Sequence, residues 1–197
     1  MKALHNISYG VFILTAKTHK HNGCVINTLI QLTSNPKQVA ITVNKDNFTT
    51  KQIEESGIFN VSILDNTTTF DIIKHFGFSS GKDVDKFENF FDFKLSSNNL
   101  AYITKCTNSF ISCRITQKID VGTHFIFVAD VTEEEVLNQN PSLTYSEYQS
   151  KIKPQPQSKG AYVCKICGYV FEGEILPENF VCPICKHGKE DFEYIKK

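Results

Sequence analysis

Four cysteines near the end of the chain are the residues whose type and spacing point most directly to chemistry: Cys164 and Cys167 in one C-x-x-C pair, Cys182 and Cys185 in another. Each pair supplies two soft sulfur ligands from one tight turn. The intervening stretch 168–181 is long enough to bring the second turn back against the first. Four thiolates converging on one point suit a tetrahedral metal, zinc or iron almost equally. The competing use of these residues is two disulfides or free thiols. Met1–Asn6 has no secretory pattern and the chain has no net charge, so we expect a cytoplasmic protein with reduced thiols, which favours the metal cage.

The surroundings of the cage are apolar and aromatic: Tyr162, Tyr169, Val170, Phe171, Phe180, Val181 and Phe192. Such a shell excludes water and tunes an iron potential, assisted by backbone N–H groups donated to sulfur. The run Tyr162-Val163-Cys164, Cys167-Gly168-Tyr169-Val170-Phe171, Leu176-Pro177, Phe180-Val181-Cys182-Pro183 and Gly188-Lys189 before Phe192 resembles rubredoxin over about residues 160–195. That resemblance implies one iron held by Cys164, Cys167, Cys182 and Cys185. The loop between the pairs is shorter than in a free-standing rubredoxin, as in rubredoxin modules fused to larger redox proteins, and it leaves zinc open.

The rest of the chain must position whatever this centre exchanges electrons with. Of 197 residues, 41% are hydrophobic and 21% charged, an ordinary globular composition. The tail is too short to hold a core without its metal. The preceding residues suffice for one domain, so we divide the chain into a domain at 1–148, a linker at 149–159 rich in Pro, Gln and Lys, and the metal domain at 160–197. Lys plus Arg equals Asp plus Glu at 21 each, which gives no basic field for nucleic acid. Arg114 is the sole arginine, so bidentate anion clamping is almost unavailable. No apolar run is long enough for a membrane helix.

Strands are expected at 9–16, 24–32, 39–44, 59–64, 100–105, 110–119 and 124–131, with a hairpin turn at Asn22-Gly23. Helices are expected from Asn47 to Ser56, capped by Asn47 or Thr49 and ended by Gly57, and from Thr68 to Phe76. Residues 77–98 read as a Phe-rich loop or lid, and Glu133–Leu137 as a short helix or a strand exit. Cys24, Cys106 and Cys113 read as buried, hydrophobe-like thiols. Short strands with two inserted helices make a small antiparallel barrel, closed or nearly so. No G-x-G-x-x-G turn is present, which argues against a Rossmann nicotinamide domain.

A single-iron centre carries one electron while nicotinamides deliver two as hydride, and a flavin bridges the two regimes. The segments 22–36, 43–50, His75-Phe76-Gly77, Asp85-Lys86-Phe87 and 122–127 resemble, in order, those of the flavin reductase-like, FMN-binding split-barrel family over about residues 3–150. The implied fold is mostly β: an FMN-binding split barrel with short inserted helices, followed by the small rubredoxin-like metal domain. Asn27, Thr28, Gln31 and Thr33 offer amides, hydroxyls and backbone N–H groups to FMN. Asn44, Lys45, Asn47 and Thr49 lie at a strand end before a helix, where a phosphate is favoured, and Lys86 could add charge. The family places the Asn27-Thr28 strand and the Lys86-Phe87 pair at the flavin, and His124 near its nicotinamide side. Without the resemblance, Gln31 and Thr33 read as a solvent face, Asn47 and Thr49 as helix caps, Phe87 as core, and His75 as structural.

The fused arrangement implies an NADH- or NADPH-dependent oxidoreductase that reduces FMN and then the Fe(Cys)4 centre. The implied acceptor is a flavodiiron oxygen or nitric oxide reductase, and the implied assembly a homodimer. Two other readings stay open: a zinc-ribbon adaptor on a small barrel, and a plain flavin reductase supplying free reduced flavin.

Overall fold

The computed structural model describes residues 3–154, 161–173 and 175–195. Two compact units divide the chain, Met1–Lys151 and Ile152–Lys197.

The first unit is built on β1 (Phe12–Lys17), β2 (His21–Ile26), β3 (Leu29–Ser34), β4 (Lys37–Asn44), β5 (Ile58–Leu64), a small hairpin of β6 (Phe93–Leu95) and β7 (Ala101–Ile103), and the long pair β8 (Thr107–Asp120) and β9 (His124–Val136). Seven of these form one antiparallel sheet in the order β2-β1-β5-β8-β9-β4-β3. Its two edges are consecutive in the chain, joined only by Asn27-Thr28. Three Cα steps of about 3.8 Å span at most about 11 Å, so the sheet must curl until β2 and β3 nearly meet. A barrel split along one seam follows from connectivity alone.

Alternation along the strands fills the barrel: Leu14 and Ala16, Ile41 and Val43, Phe59 and Val61, Phe127 and Ala129 are all buried in one core. Helix α1 (Phe48–Ser56) lays Ile53 on that core. It ends at Gly57, whose φ of 71° allows a left-handed cap and whose N–H bonds Ile53 O at 2.9 Å. Helix α2 (Phe70–Gly77) buries Ile72, Ile73 and Phe76.

Several expectations are corrected. Asn22-Gly23 is not the hairpin turn: Lys17 pairs with His21, so Thr18-His19-Lys20 turns the chain. Gly23 instead lies within β2, where an added Cβ would meet the Phe76 ring at 3.0 Å and Leu14 O at 3.2 Å. The single strand expected over 24–32 is broken at Asn27-Thr28, because the two halves belong to opposite sheet edges. Glu133–Val136 is strand, the end of β9 paired with β8. The Phe-rich stretch contains β6, and Cys106 is only half-buried. Residues expected to start the linker are helical: α3 (Tyr145–Glu147), opened by a reciprocal Thr144–Glu147 capping box, runs into a wider helical turn at Tyr148–Ile152. The remainder of the expected linker, 155–159, lies outside the described residues.

In the second unit β10 (Ala161–Cys164) is flanked by β11 (Val170–Glu172) and β12 (Phe192–Ile195). Its core is Cys164, Leu176, Cys182 and Phe192, ringed by Tyr162, Tyr169, Phe171 and Phe180.

Candidate functional site

The two C-x-x-C turns share one backbone pattern. Cys164 N–H bonds Tyr169 O at 2.9 Å and Gly168 N–H bonds Cys164 O at 2.8 Å; Cys182 N–H bonds His187 O at 2.8 Å and Lys186 N–H bonds Cys182 O at 3.0 Å. Gly168 (φ 79°) and Lys186 (φ 61°) hold equivalent left-handed positions. The turns bring all four sulfurs within 4.8 Å of one another. Cys164 and Cys185 Sγ are 3.5 Å apart, and Cys167 and Cys182 Sγ are 3.4 Å apart. Metal–sulfur bonds of about 2.3 Å in a tetrahedron separate the sulfurs by about 3.8 Å, so the cage fits one ion.

Hydrogen bonds from Cys167 and Cys185, then the N–H groups of Cys167 and Ile166, outweigh burial and hold the Cys164 thiol far below its usual range. Sulfur contacts with Cys164 and Cys185 push Cys167 up, and Cys185 is raised to about 12, chiefly by Cys164. Four thiols packed this closely cannot all ionise without a counter-charge, and a bound cation supplies one. The N–H groups of Tyr169 and His187 also point at Cys167 and Cys185. Amide donors of this kind set the potential of an iron–thiolate centre. Within this unit the sequence expectation and the geometry coincide.

The candidates on the barrel fall into separate places. Around the start of α1, Thr28 Oγ1 donates to Thr42 O at 2.8 Å, Asn44 pairs with His124 across β4 and β9, and Lys45 N–H bonds Thr123 O at 3.1 Å. Asn47 occupies the N-cap position without a side-chain capping bond, and its Nδ2 lies 3.8 Å from Cys24 Sγ. Lys45 Nζ is 2.6 Å from Asp120 and 4.7 Å from the Phe125 ring centre. His124 Nδ1 meets Thr123 Oγ1 at 2.8 Å. The first turn of α1 thus opens without a side-chain cap, close to Asn44 and Lys45, and a helix start of this kind favours negative charge. Asn27 is half-buried at the seam between β2 and β3.

Gln31 and Thr33 lie farther along β3, about 10 and 16 Å from Thr28 at ~3.3 Å per residue. Both line a cleft of about 770 Å³ whose walls include Tyr9, Phe12, Ile63 and Leu143. Thr49 is buried and its hydroxyl accepts from Asn22 Nδ2 at 2.8 Å, so it braces the helix from inside. Lys86 departs most from expectation. It is 3% exposed, and its ammonium donates to Gly23 O at 2.8 Å and Phe76 O at 2.7 Å. Burial lowers its pKa, partly offset by Cys24. Thus Lys86 ties its loop to β2 and α2, with two of its three donors on backbone carbonyls. Phe87 packs on His21, Phe76 and Phe93, a core role. His75 Nε2 donates to Lys86 O at 2.7 Å and the ring stacks on Phe90, also structural.

Asn22 and Cys24 are the site neighbours that sequence reasoning did not assign. Asn22 is 2% exposed and its Oδ1 finds no partner among the described residues. Burial raises the Cys24 thiol, against the Thr49 hydroxyl and Lys86. No local signal marks either residue, because their partners arrive from α1 and from residue 86.

The sequence matches the flavin reductase-like domain over residues 4–152 and the rubrerythrin, rubredoxin-like domain over residues 162–193. A high molecular weight rubredoxin of Moorella thermoacetica is 36% identical over 98% of this chain and 99% of its own length. A ferric-chelate reductase (NAD(P)H) of Archaeoglobus fulgidus is 35% identical, covering 75% of this chain and 88% of its own. Among solved structures, an NADH:FAD oxidoreductase of Streptomyces globisporus superposes with a TM-score of 0.66 at 21% identity, over 72% of this chain and 83% of that one.

Proposed function

Because this chain belongs to the flavin reductase-like family and carries a rubredoxin-like domain behind the barrel, we propose that it is an NADH- or NADPH-dependent FMN oxidoreductase that feeds electrons to its own Fe(Cys)4 centre. The carrying observation is a four-sulfur cage on the same polypeptide as the flavin reductase-like barrel. When bound, FMN accepts a hydride and iron exchanges one electron at a time.

The chain's own residues bind and orient. The first turn of α1, with Asn47 and Lys45, receives the phosphate, while Asn27, Thr28 and the β3 strand through Gln31 and Thr33 border the ring. His124, at the start of β9 opposite Asn44, stands at the nicotinamide side. Hydride transfer needs alignment and water exclusion rather than an acid–base pair. Cys164, Cys167, Cys182 and Cys185 hold the iron, with amide donors and aromatic rings restricting solvent. The acceptor in this reading is a flavodiiron-type oxygen or nitric oxide reductase, reached by the resemblance set out above, and the setting is the cytoplasm. Among the described residues no helix is long and apolar enough to cross a membrane.

A homodimer accompanies this reading. Edge strand β3 exposes Ile30 at 61% and Leu32 at 46%, an apolar edge that a second copy would cover. Light scattering that returns the mass of one chain removes it.

The phosphate assignment has a direct test. Asn47→Ala and Lys45→Ala should each weaken FMN binding about tenfold, as expected for about 1.4 kcal/mol of charge-assisted contact. Lys86→Met should leave affinity per folded molecule within about threefold. Fluorescence titration of flavin-stripped protein measures both, and unchanged affinity in the first two variants moves the phosphate elsewhere.

A further inference from the structure

In the second unit, Lys153 lies against the first cysteine turn. A Cβ built on Gly168, the residue after Cys167, would sit 1.7 Å from Lys153 Cε, 2.5 Å from Nζ and 3.0 Å from Cδ. The lysine stem therefore occupies the space that the glycine leaves open, and its ammonium rests on the backbone of the turn. Burial is the largest influence on that ammonium and disfavours its charge, while Cys167, Cys164 and Cys185, in that order, favour it. A charge held this close by packing is screened little by salt.

We propose that Lys153 is an electrostatic positioning residue for the metal centre: its fixed positive charge on the Cys164–Cys167 turn favours the more negative state of the four-thiolate site. This rests on the iron reading above. With four thiolates the ferric site carries −1, and one electron taken from the reduced flavin makes it ferrous at −2. No proton or ligand changes place, so the neighbouring charge acts on the electron's free energy alone. A higher iron potential draws electrons out of the barrel. The same charge favours loading of any divalent ion, which turns partly protonated sulfurs into a dianionic cage.

Lys153→Met keeps the stem over Gly168 and removes the charge; Lys153→Arg keeps both. At a fixed solution potential, Lys153→Met should lower the ferrous-to-ferric ratio about tenfold, about 59 mV for a one-electron couple. Lys153→Arg should stay within about threefold of the parent. Redox titration of the full-length protein, followed at the ferric–thiolate absorption, gives both values. A Lys153→Met midpoint equal to the parent's, with the same visible spectrum, overturns the assignment. A protein that holds no iron defeats the functional reading instead, and Co2+ then decides the role of Lys153. Competition titration at one pH should show Co2+ bound about tenfold more weakly by Lys153→Met, and equal affinity overturns the proposal.

Discussion

Replacing Cys167 with serine should unfold the second unit and leave the first intact. The core of residues 161–195 is built around the cage: Cys164, Leu176, Cys182 and Phe192 are the buried members of its hydrophobic cluster, and the aromatic rings pack around them. Without the ion, three short strands and an aromatic ring must offset the chain entropy of some forty residues, which domains of this size rarely achieve. Apparent metal-binding energies for small cysteine cages are roughly 10–16 kcal/mol, and this energy is folding energy. Serine is a hard ligand and protonated at neutral pH, so most of that term disappears. Metal content should fall to near zero, and limited proteolysis should remove residues beyond 161. Meanwhile the barrel should unfold at an unchanged temperature, as expected for independent units. A Cys167→Ser protein whose second unit still resists protease would show that the unit has a core of its own.

Asp65→Ala should destabilise the barrel by about 3–4 kcal/mol, which for a domain of this size is roughly 10 °C in Tm. Asp65 is 1% exposed, immediately after β5. One carboxylate oxygen accepts from the Thr67 N–H at 2.9 Å and from its hydroxyl; the other accepts from Asn138 Nδ2 at 3.2 Å and Asn140 Nδ2 at 3.1 Å. The residue thus ties the turn before α2 to the segment after β9. Alanine leaves several donors without their acceptor. The pH dependence has a definite sign. Burial alone would raise the carboxyl pKa, but the Thr67, Asn140 and Asn138 donors overcome it and the net shift is downward. Stability from a depressed carboxyl is fully present above its unfolded value near 3.9 and is lost as pH falls through the lower folded value. The gap between parent and Asp65→Ala should therefore be constant at neutral pH and shrink only below about pH 4. Urea unfolding from pH 3 to pH 7 measures it, and a gap independent of pH across that range contradicts the charged-acceptor account.

The sequence exposes local chemistry well and long-range proximity poorly. The spacing of Cys164, Cys167, Cys182 and Cys185 announced the cage because each ligand pair is made by one turn, and the aromatic positions around it proved to be its shell. The strands expected at 39–44 and 59–64 fall within β4 and β5, where Val39–Ile41 and Phe59–Ser62 are buried in succession. Asn22-Gly23 misled because the dipeptide favours a hairpin turn in isolation, whereas here Gly23 is required by the approach of Phe76 from α2. The surroundings of Lys86 were hidden for a related reason: it was expected to lend charge to FMN, and its contacts with Gly23 O and Phe76 O come from distant elements. The seam at Asn27-Thr28 was equally hidden, since only the strand order shows that one apolar run serves both edges of the sheet.

Electron flow between the two units is the claim on which the functional account rests. Anaerobic rapid mixing of the full-length protein with excess NADH or NADPH, followed at the flavin and ferric–thiolate bands, addresses it directly. The account predicts that the flavin absorption is lost first and the red iron absorption follows at a rate independent of protein concentration. Flavin that bleaches while the ferric band persists, or iron that is reduced only in proportion to protein concentration, would contradict transfer within the molecule.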